Sequence, residues 1–134
     1  MQKYLYCLLF AALFTVGEFS SNERKINCID SKLKADIGNE GYTQCHSRNQ
    51  ALPIPKIKQC VTDWLKSKNI VITANNGQMT VDATAFATKA NELREKPTGR
   101  AMEACKNREN NDRMYQEAAR ATQCIFEEVR KTCR

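Results

Sequence analysis

The chain has 134 residues, seven cysteines, one histidine and a net charge of +6 at neutral pH. That length gives one domain with one core, and the charge is interleaved, as in Glu23-Arg24-Lys25 and Glu92-Leu93-Arg94-Glu95-Lys96, without the concentrated basic patch and aromatics of a nucleic-acid binder. One histidine and no Cys-x-x-Cys pair exclude an ordinary zinc site, and no acid–base pair, nucleophile triad or cofactor motif can be assembled, so neither catalysis nor a cofactor is expected.

Taken in chain order, the first element is not part of the fold. Lys3 opens the chain, Tyr4 to Val16 is an almost unbroken apolar run, and Gly17 is a small residue at its end. This is the layout of a secretory signal peptide, so residues 1–17 are assigned to export and residues 18–134 to the mature domain. The run is shorter than the roughly 20 apolar residues that cross a bilayer, and no later stretch is longer, so no membrane span is expected. Removing residues 1–17 takes away Lys3 and Cys7 and leaves six cysteines and a charge of +5. An even count suits a secreted, extracellular chain whose thiols all pair. No Asn-x-Ser/Thr sequon is present, so N-glycosylation is not expected.

Helical periodicity dominates the rest. Ile26, Ile29, Leu33 and Ile37 form one stripe beside Cys28, stopped by Gly38 and Gly41. A short second helix carries Cys45 and ends before Pro53, and Pro55 suits the first turn of a third. That third helix gathers Ile57, Cys60, Val61, Trp64 and Leu65 on one face and fades near Asn69. Ile70-Val71-Ile72-Thr73 is strand-like, but no partner strand is visible, so it reads as an extended connector. Asn75-Asn76-Gly77 marks a turn. Thr80 reads as the N-cap of a fourth helix, with Asp82 at the positive end of its dipole. Val81, Phe86, Ala90 and Leu93 make the inner stripe of that helix, and Pro97 ends it. A fifth helix carries Ala101, Met102 and Cys105. The polar run Lys106 to Asp112 is either a loop or a helix surface. The sixth helix runs through Met114, Ala118, Ala121, Ile125, Val129 and Cys133 on one face. Six short helices with so few large aliphatic residues need staples, and each disulfide adds roughly 2–4 kcal/mol.

The block Cys60 to Cys133 resembles the insect odorant-binding protein family. Its parts are the helix from Cys60 to Lys68, the loop Asn75 to Gly77, the hydrophobic–acidic pair Val81-Asp82, and Cys124 and Cys133 with eight residues between them. The family's third-helix cysteine has a partner four residues earlier, where this chain has Lys56. Cys45 stands fifteen residues before Cys60 instead, and the gap from Cys105 to Cys124 exceeds the family's. The resemblance is therefore to a divergent arthropod member, with the chelicerate odorant-binding-like group as one candidate. It implies an all-α fold of about six short helices in one compact domain, stapled by three disulfides around an apolar pocket. It also implies a secreted carrier that transports a small hydrophobic molecule such as an odorant, pheromone or fatty acid, with chemosensory use. Six cysteines can pair in fifteen ways. The family's interlocked pattern implies Cys28 with Cys60, Cys45 with Cys124, and Cys105 with Cys133.

The candidate ligand-binding residues are Val61, Trp64, Leu65, Met79, Phe86, Met102, Met114, Tyr115, Ile125 and Phe126, because ligand cavities are mostly apolar and methionine adapts to varied shapes. Plain core packing is the competing reading for each. Tyr115, and more weakly Tyr42, could orient a ligand through the hydroxyl. No buried acid can be named, and Asp63 faces water. His46 reads as a surface residue. Arg134 directly follows Cys133, so a C-terminal tail entering the pocket is not expected.

The alternative is a secreted salivary or venom effector acting on a host protein, with the Lys106 to Asp112 run as contact surface. A membrane-bound receptor or a host protein is the macromolecular partner these readings imply. Amino-terminal sequencing of the exported protein is expected to find a start among residues 18–22; a start at Met1 would overturn the export assignment.

Overall fold

The structure of the protein, a computed structural model, describes residues 23–45, 53–108 and 111–133. The export segment and His46 lie outside the described residues. Helix α1 spans residues 23–37 and buries Ile29, Leu33 and Ile37. A 3-10 turn, Gly38–Glu40, follows, and Gly41 leaves it at φ 116°, a left-handed conformation that favours glycine. Helix α2 is Tyr42–Cys45 and α3 is Ile54–Ser67. Pro53 caps α3 and Pro55 sits in its first turn, where a missing N–H costs nothing.

Helix α3 stops at a Schellman motif. Asn69, at φ 58°, adopts the left-handed conformation. Its N–H donates to the Lys66 carbonyl, and the Ile70 N–H reaches back to Leu65 at 2.9 Å. Asparagine tolerates that backbone better than most side chains, so the sequence supplies the stop without a glycine.

The connector expected after Asn69 has a partner. Strands β1 (Val71–Thr73) and β2 (Met79–Val81) pair antiparallel, with Val71 opposite Val81, Ile72 opposite Thr80 and Thr73 opposite Met79. The Asn76 side chain accepts from the Gln78 N–H at 3.0 Å, and Gly77 takes φ 84°. Thr80 is therefore a strand residue, not a helix cap. The backbone stays extended through Val81, and Asp82 caps α4 (Ala83–Glu92) by accepting from the Ala85 N–H at 2.9 Å.

Helix α5 is Pro97–Lys106, entered through a tight turn over Leu93–Lys96. Gly99 permits that turn: a Cβ there would lie 1.9 Å from the Leu93 carbonyl oxygen. The single sixth helix expected from the stripe is two helices, α6 (Asn111–Gln116) and α7 (Ala118–Lys131), separated by Glu117 at φ −129°, ψ 102°. The stripe survives the break because Met114 and Ala118, four residues apart, are both buried. Of the polar run before it, Lys106 ends α5, Asn107 and Arg108 turn away, and Asn111 and Asp112 begin α6, with residues 109–110 outside the described ones.

The mostly helical, compact architecture agrees with the sequence reading. Ile57, Cys60, Val61, Trp64 and Leu65 of α3, Phe86 and Ala90 of α4, Ala101, Met102 and Cys105 of α5, and the α7 stripe share one core. Helix α7 packs most extensively on α5 and also against α3, α6 and β2.

The disulfides are Cys28–Cys133, Cys45–Cys60 and Cys105–Cys124. The interlocked pairing that the resemblance implied is thus wrong in all three bonds. Two short loops, α2 to α3 and α5 to α7, close inside one long one. The reason is spatial: α2 folds directly back on α3, so Cys45 meets Cys60, while α1 lies along the end of α7 and brings Cys28 to Cys133.

Polar groups tie the helices together. Asp36 on α1 accepts from both the N–H and the hydroxyl of Thr98, at 2.8 and 2.6 Å, and so caps α5 from another helix. An acid is buried after all: Asp30, 6% exposed, accepts from the Tyr42 hydroxyl at 2.6 Å and pairs with Lys34 at 3.1 Å. Burial and the Asp30 hydrogen bond push the Tyr42 hydroxyl well above the usual tyrosine range. Glu40 accepts from the Trp64 ring N–H at 3.2 Å and from Lys89 at 2.7 Å, with Lys68 at 3.6 Å.

Burial alone would raise the Glu40 carboxyl, but the Lys89 and Trp64 hydrogen bonds and the charges of Lys89 and Lys68 hold it below the ordinary value of 4.5. A carboxyl depressed in the folded state stabilises above its unfolded pKa, and that contribution is lost as pH falls through the folded pKa. Stability measured by urea denaturation should therefore fall below about pH 4.5, and Glu40→Gln should be less stable at pH 7 with a flatter acid limb. An unchanged acid limb in that variant would place the effect elsewhere.

The long Cys28–Cys133 loop spans 105 residues against 15 for Cys45–Cys60. Loop entropy assigns about 4.7 kcal/mol to a loop near 100 residues and about 3 to one near 15. Replacing Cys28 and Cys133 together by serine should lower the melting temperature more than replacing Cys45 and Cys60. Calorimetry of the two double variants decides this, and the reverse order would refute it.

Candidate functional site

Among the described residues an apolar recess opens where α1 begins, α3 begins and α7 ends. It is an open cleft of about 860 Å³ lined by Lys25, Ile26, Ile29, Ile54, Phe126, Arg130, Lys131 and Cys133. That volume falls within the range of small-molecule sites, about 300–1,000 Å³.

Each lining group has a local origin. Lys25 and Ile29 stand four residues apart on α1 and so share a face, with Ile26 beside them. Ile54 is the first residue of α3, directly after Pro53, so its side chain projects from a helix end rather than into the core. It is 37% exposed, one of two large hydrophobic residues so placed among the described residues. Phe126 and Arg130 stand four apart on α7, and Cys133 follows on the same side, bonded to Cys28 of α1. Lys32 of α1 donates to the carbonyl and hydroxyl of Thr132, at 3.0 and 2.6 Å. With the disulfide, these bonds fix the α1 wall against the α7 wall.

Phe126 is the floor. It is 2% exposed, and the Lys58 ammonium lies 5.1 Å from its ring centroid, a cation–π distance. The rim is basic. Lys131 pairs with Glu128 at 2.9 Å, whereas Lys25 and Arg130 have no ion-pair partner among the described residues. Burial opposes ionisation of Glu128, but Lys131 and Arg108 hold its carboxyl below the ordinary value, so that charge is already engaged. The cleft therefore offers alkyl and aryl surface under a cationic rim, with no carboxylate, hydroxyl or imidazole among the described residues that line it.

Of the lining residues read from the sequence, Phe126 alone lines this cleft. Val61, Trp64, Leu65, Phe86, Met102, Met114, Ile125 and Phe126 are buried together in the main core, and Met79 and Tyr115 pack partly buried against it. Tyr115 meets Phe86 edge to face, with centroids 6.2 Å apart, and burial raises its hydroxyl pKa. Asp63 is exposed, as expected. The residues that sequence reasoning missed are Lys25, Ile26, Ile29, Ile54, Arg130, Lys131 and Cys133. The available signal was Ile54, an apolar residue at the first position of α3 that continues the Ile57–Val61 stripe past the covered part of the core.

Two smaller recesses lie elsewhere: about 410 Å³ beside Pro97, Arg100, Ala101, Glu128 and Thr132, and about 310 Å³ beside Lys68, Ile70, Ala85, Thr88, Lys89 and Glu92. Among the described residues no cluster of three or more His, Cys, Asp or Glu could hold a metal ion, and no helix is long and apolar enough to cross a membrane. No protein-family model, curated protein or solved structure matches the chain.

Proposed function

We propose that the protein is a secreted carrier for a small hydrophobic molecule, and that the cleft between α1, α3 and α7 is where the ligand sits. The observation that carries this reading is the cleft itself: Ile26, Ile29, Ile54 and Phe126 converge on a space sized for a small molecule. The driving force is desolvation, about 25 cal/mol for each Å² of apolar surface removed from water. The three disulfides fit an oxidising, extracellular setting, and they hold the cleft walls in place before ligand arrives.

The odorant-binding-like resemblance remains part of the proposal as a likeness in helical layout. The disulfides are nested rather than interlocked, so the site is assigned to the cleft and not to a central pocket of the odorant-binding type. The alternative, an effector acting on a host protein, would make its contact through the Lys106 to Asp112 run, because a stable interface buries roughly 800 Å² on each partner, more than this recess offers.

The test is titration of the exported, disulfide-bonded protein with N-phenyl-1-naphthylamine. Saturable binding near one probe per chain is expected, and Ile54→Glu should weaken it about tenfold, or about 1.4 kcal/mol, while the far-UV spectrum is kept. Saturable binding that ignores Ile54→Glu would move the site to the core residues around Trp64. No saturable binding by a folded protein would overturn the carrier reading and favour a protein partner.

A further inference from the structure

The charge around the cleft is more specific than apolar binding needs. A neutral odorant would gain nothing from cations at the rim, and an amine would be repelled by them. Among the described residues that line it, three are basic and none is acidic. One of the three, Lys131, is engaged by Glu128. Lys25, from α1, and Arg130, from α7, both line the recess and have no carboxylate partner among the described residues. Lys58 lies over the Phe126 ring, though it is not among the described lining residues, and adds positive potential near the floor.

From this arrangement we propose, building on the carrier reading, that the ligand is a free long-chain carboxylate. Its alkyl tail lies on Ile26, Ile29, Ile54 and Phe126, and its head group meets Arg130 and Lys25. Arginine suits a carboxylate because its planar fork offers two parallel hydrogen bonds to the two oxygens. Arg130 also stands in the last turn of α7, where the helix dipole favours a cation, so the site retains its charge when empty. Four residues separate Arg130 from Phe126, which places head-group recognition directly beside the apolar floor. A single-chain amphiphile matches both the recess volume and the pairing of one apolar floor with one charged rim.

The test uses the exported, disulfide-bonded protein with bound N-phenyl-1-naphthylamine, displaced at pH 8 by dodecanoate and by methyl dodecanoate. Dodecanoate should displace the probe at a concentration at least tenfold lower than the ester does. In Arg130→Gln the acid-to-ester ratio should fall toward one, whereas Arg94→Gln, an exposed change remote from the cleft, should keep the ratio. Raising sodium chloride to 0.5 M should weaken the acid and spare the ester, as screening predicts. Equal displacement by acid and ester would overturn the carboxylate assignment and leave the carrier reading standing. Displacement by neither, confirmed by the absence of heat on titrating dodecanoate directly, would overturn the carboxylate assignment, while the carrier reading would stand or fall on the probe titration and its response to Ile54→Glu. Co-sedimentation with phosphatidylglycerol vesicles without any binding of dodecanoate would assign the rim to a membrane surface instead and refute the free acid as occupant.

Discussion

Burial of the inner face of α7 is the constraint on which the rest of the fold depends. Ala118, Ala121, Ile125, Phe126 and Val129 leave water on that face, and the other elements are arranged to cover it. Helix α5 lies along it and is stapled to it by Cys105–Cys124. Helix α3 crosses it, with the Thr62 and Thr122 hydroxyls 2.7 Å apart at the contact. Helix α1 is clamped to its end by Cys28–Cys133. Alanine at positions 118 and 121 lets neighbours approach closely, so a helix with few large side chains still makes a dense contact. The same economy leaves little margin, and two of the three disulfides therefore involve α7 or the residues just after it.

Helix ends inside so small a domain create a second demand. The first N–H groups and last carbonyls of each helix need partners, and several are met by another element rather than by the helix's own cap. Asp36 of α1 satisfies the start of α5. Lys32 of α1 satisfies the end of α7. Glu40, in the turn after α1, gathers the Trp64 ring N–H with two lysines. These bonds join elements far apart in sequence, so they orient helices that apolar packing alone would leave free to slide. Helix α1 and its neighbours are thus positioned by polar contacts, and the cleft inherits its shape from them.

The cleft forms where that covering is incomplete. Ile54 begins α3 and cannot be folded inward, while the α7 stripe continues to Cys133, beyond the end of its helix. The apolar surface left between them and α1 is met by basic side chains, not by further hydrophobic residues. Long cationic side chains reconcile the two, because their methylene stems cover apolar surface while their heads stay in water.

The helices and their buried faces are written in the order of residues along the chain. The stripes through Ile29, Leu33 and Ile37, through Ile57 to Leu65, through Phe86 and Ala90, and through Ala118 to Val129 could be read in advance, because helical periodicity is a local property. So could the stop near Asn69 and the role of Pro55. Packing in three dimensions settled the rest. The pairing of Val71 with Val81 gave β1 a partner and moved the α4 cap from Thr80 to Asp82. The break at Glu117 has no proline or glycine to announce it. The nested disulfides and the assembly of Lys25, Ile54, Phe126 and Arg130 into one cleft depend on where helices distant in sequence come to lie. Spacing along the chain carries local periodicity, but it does not carry distances between elements, and those distances set both the cysteine partners and the candidate site.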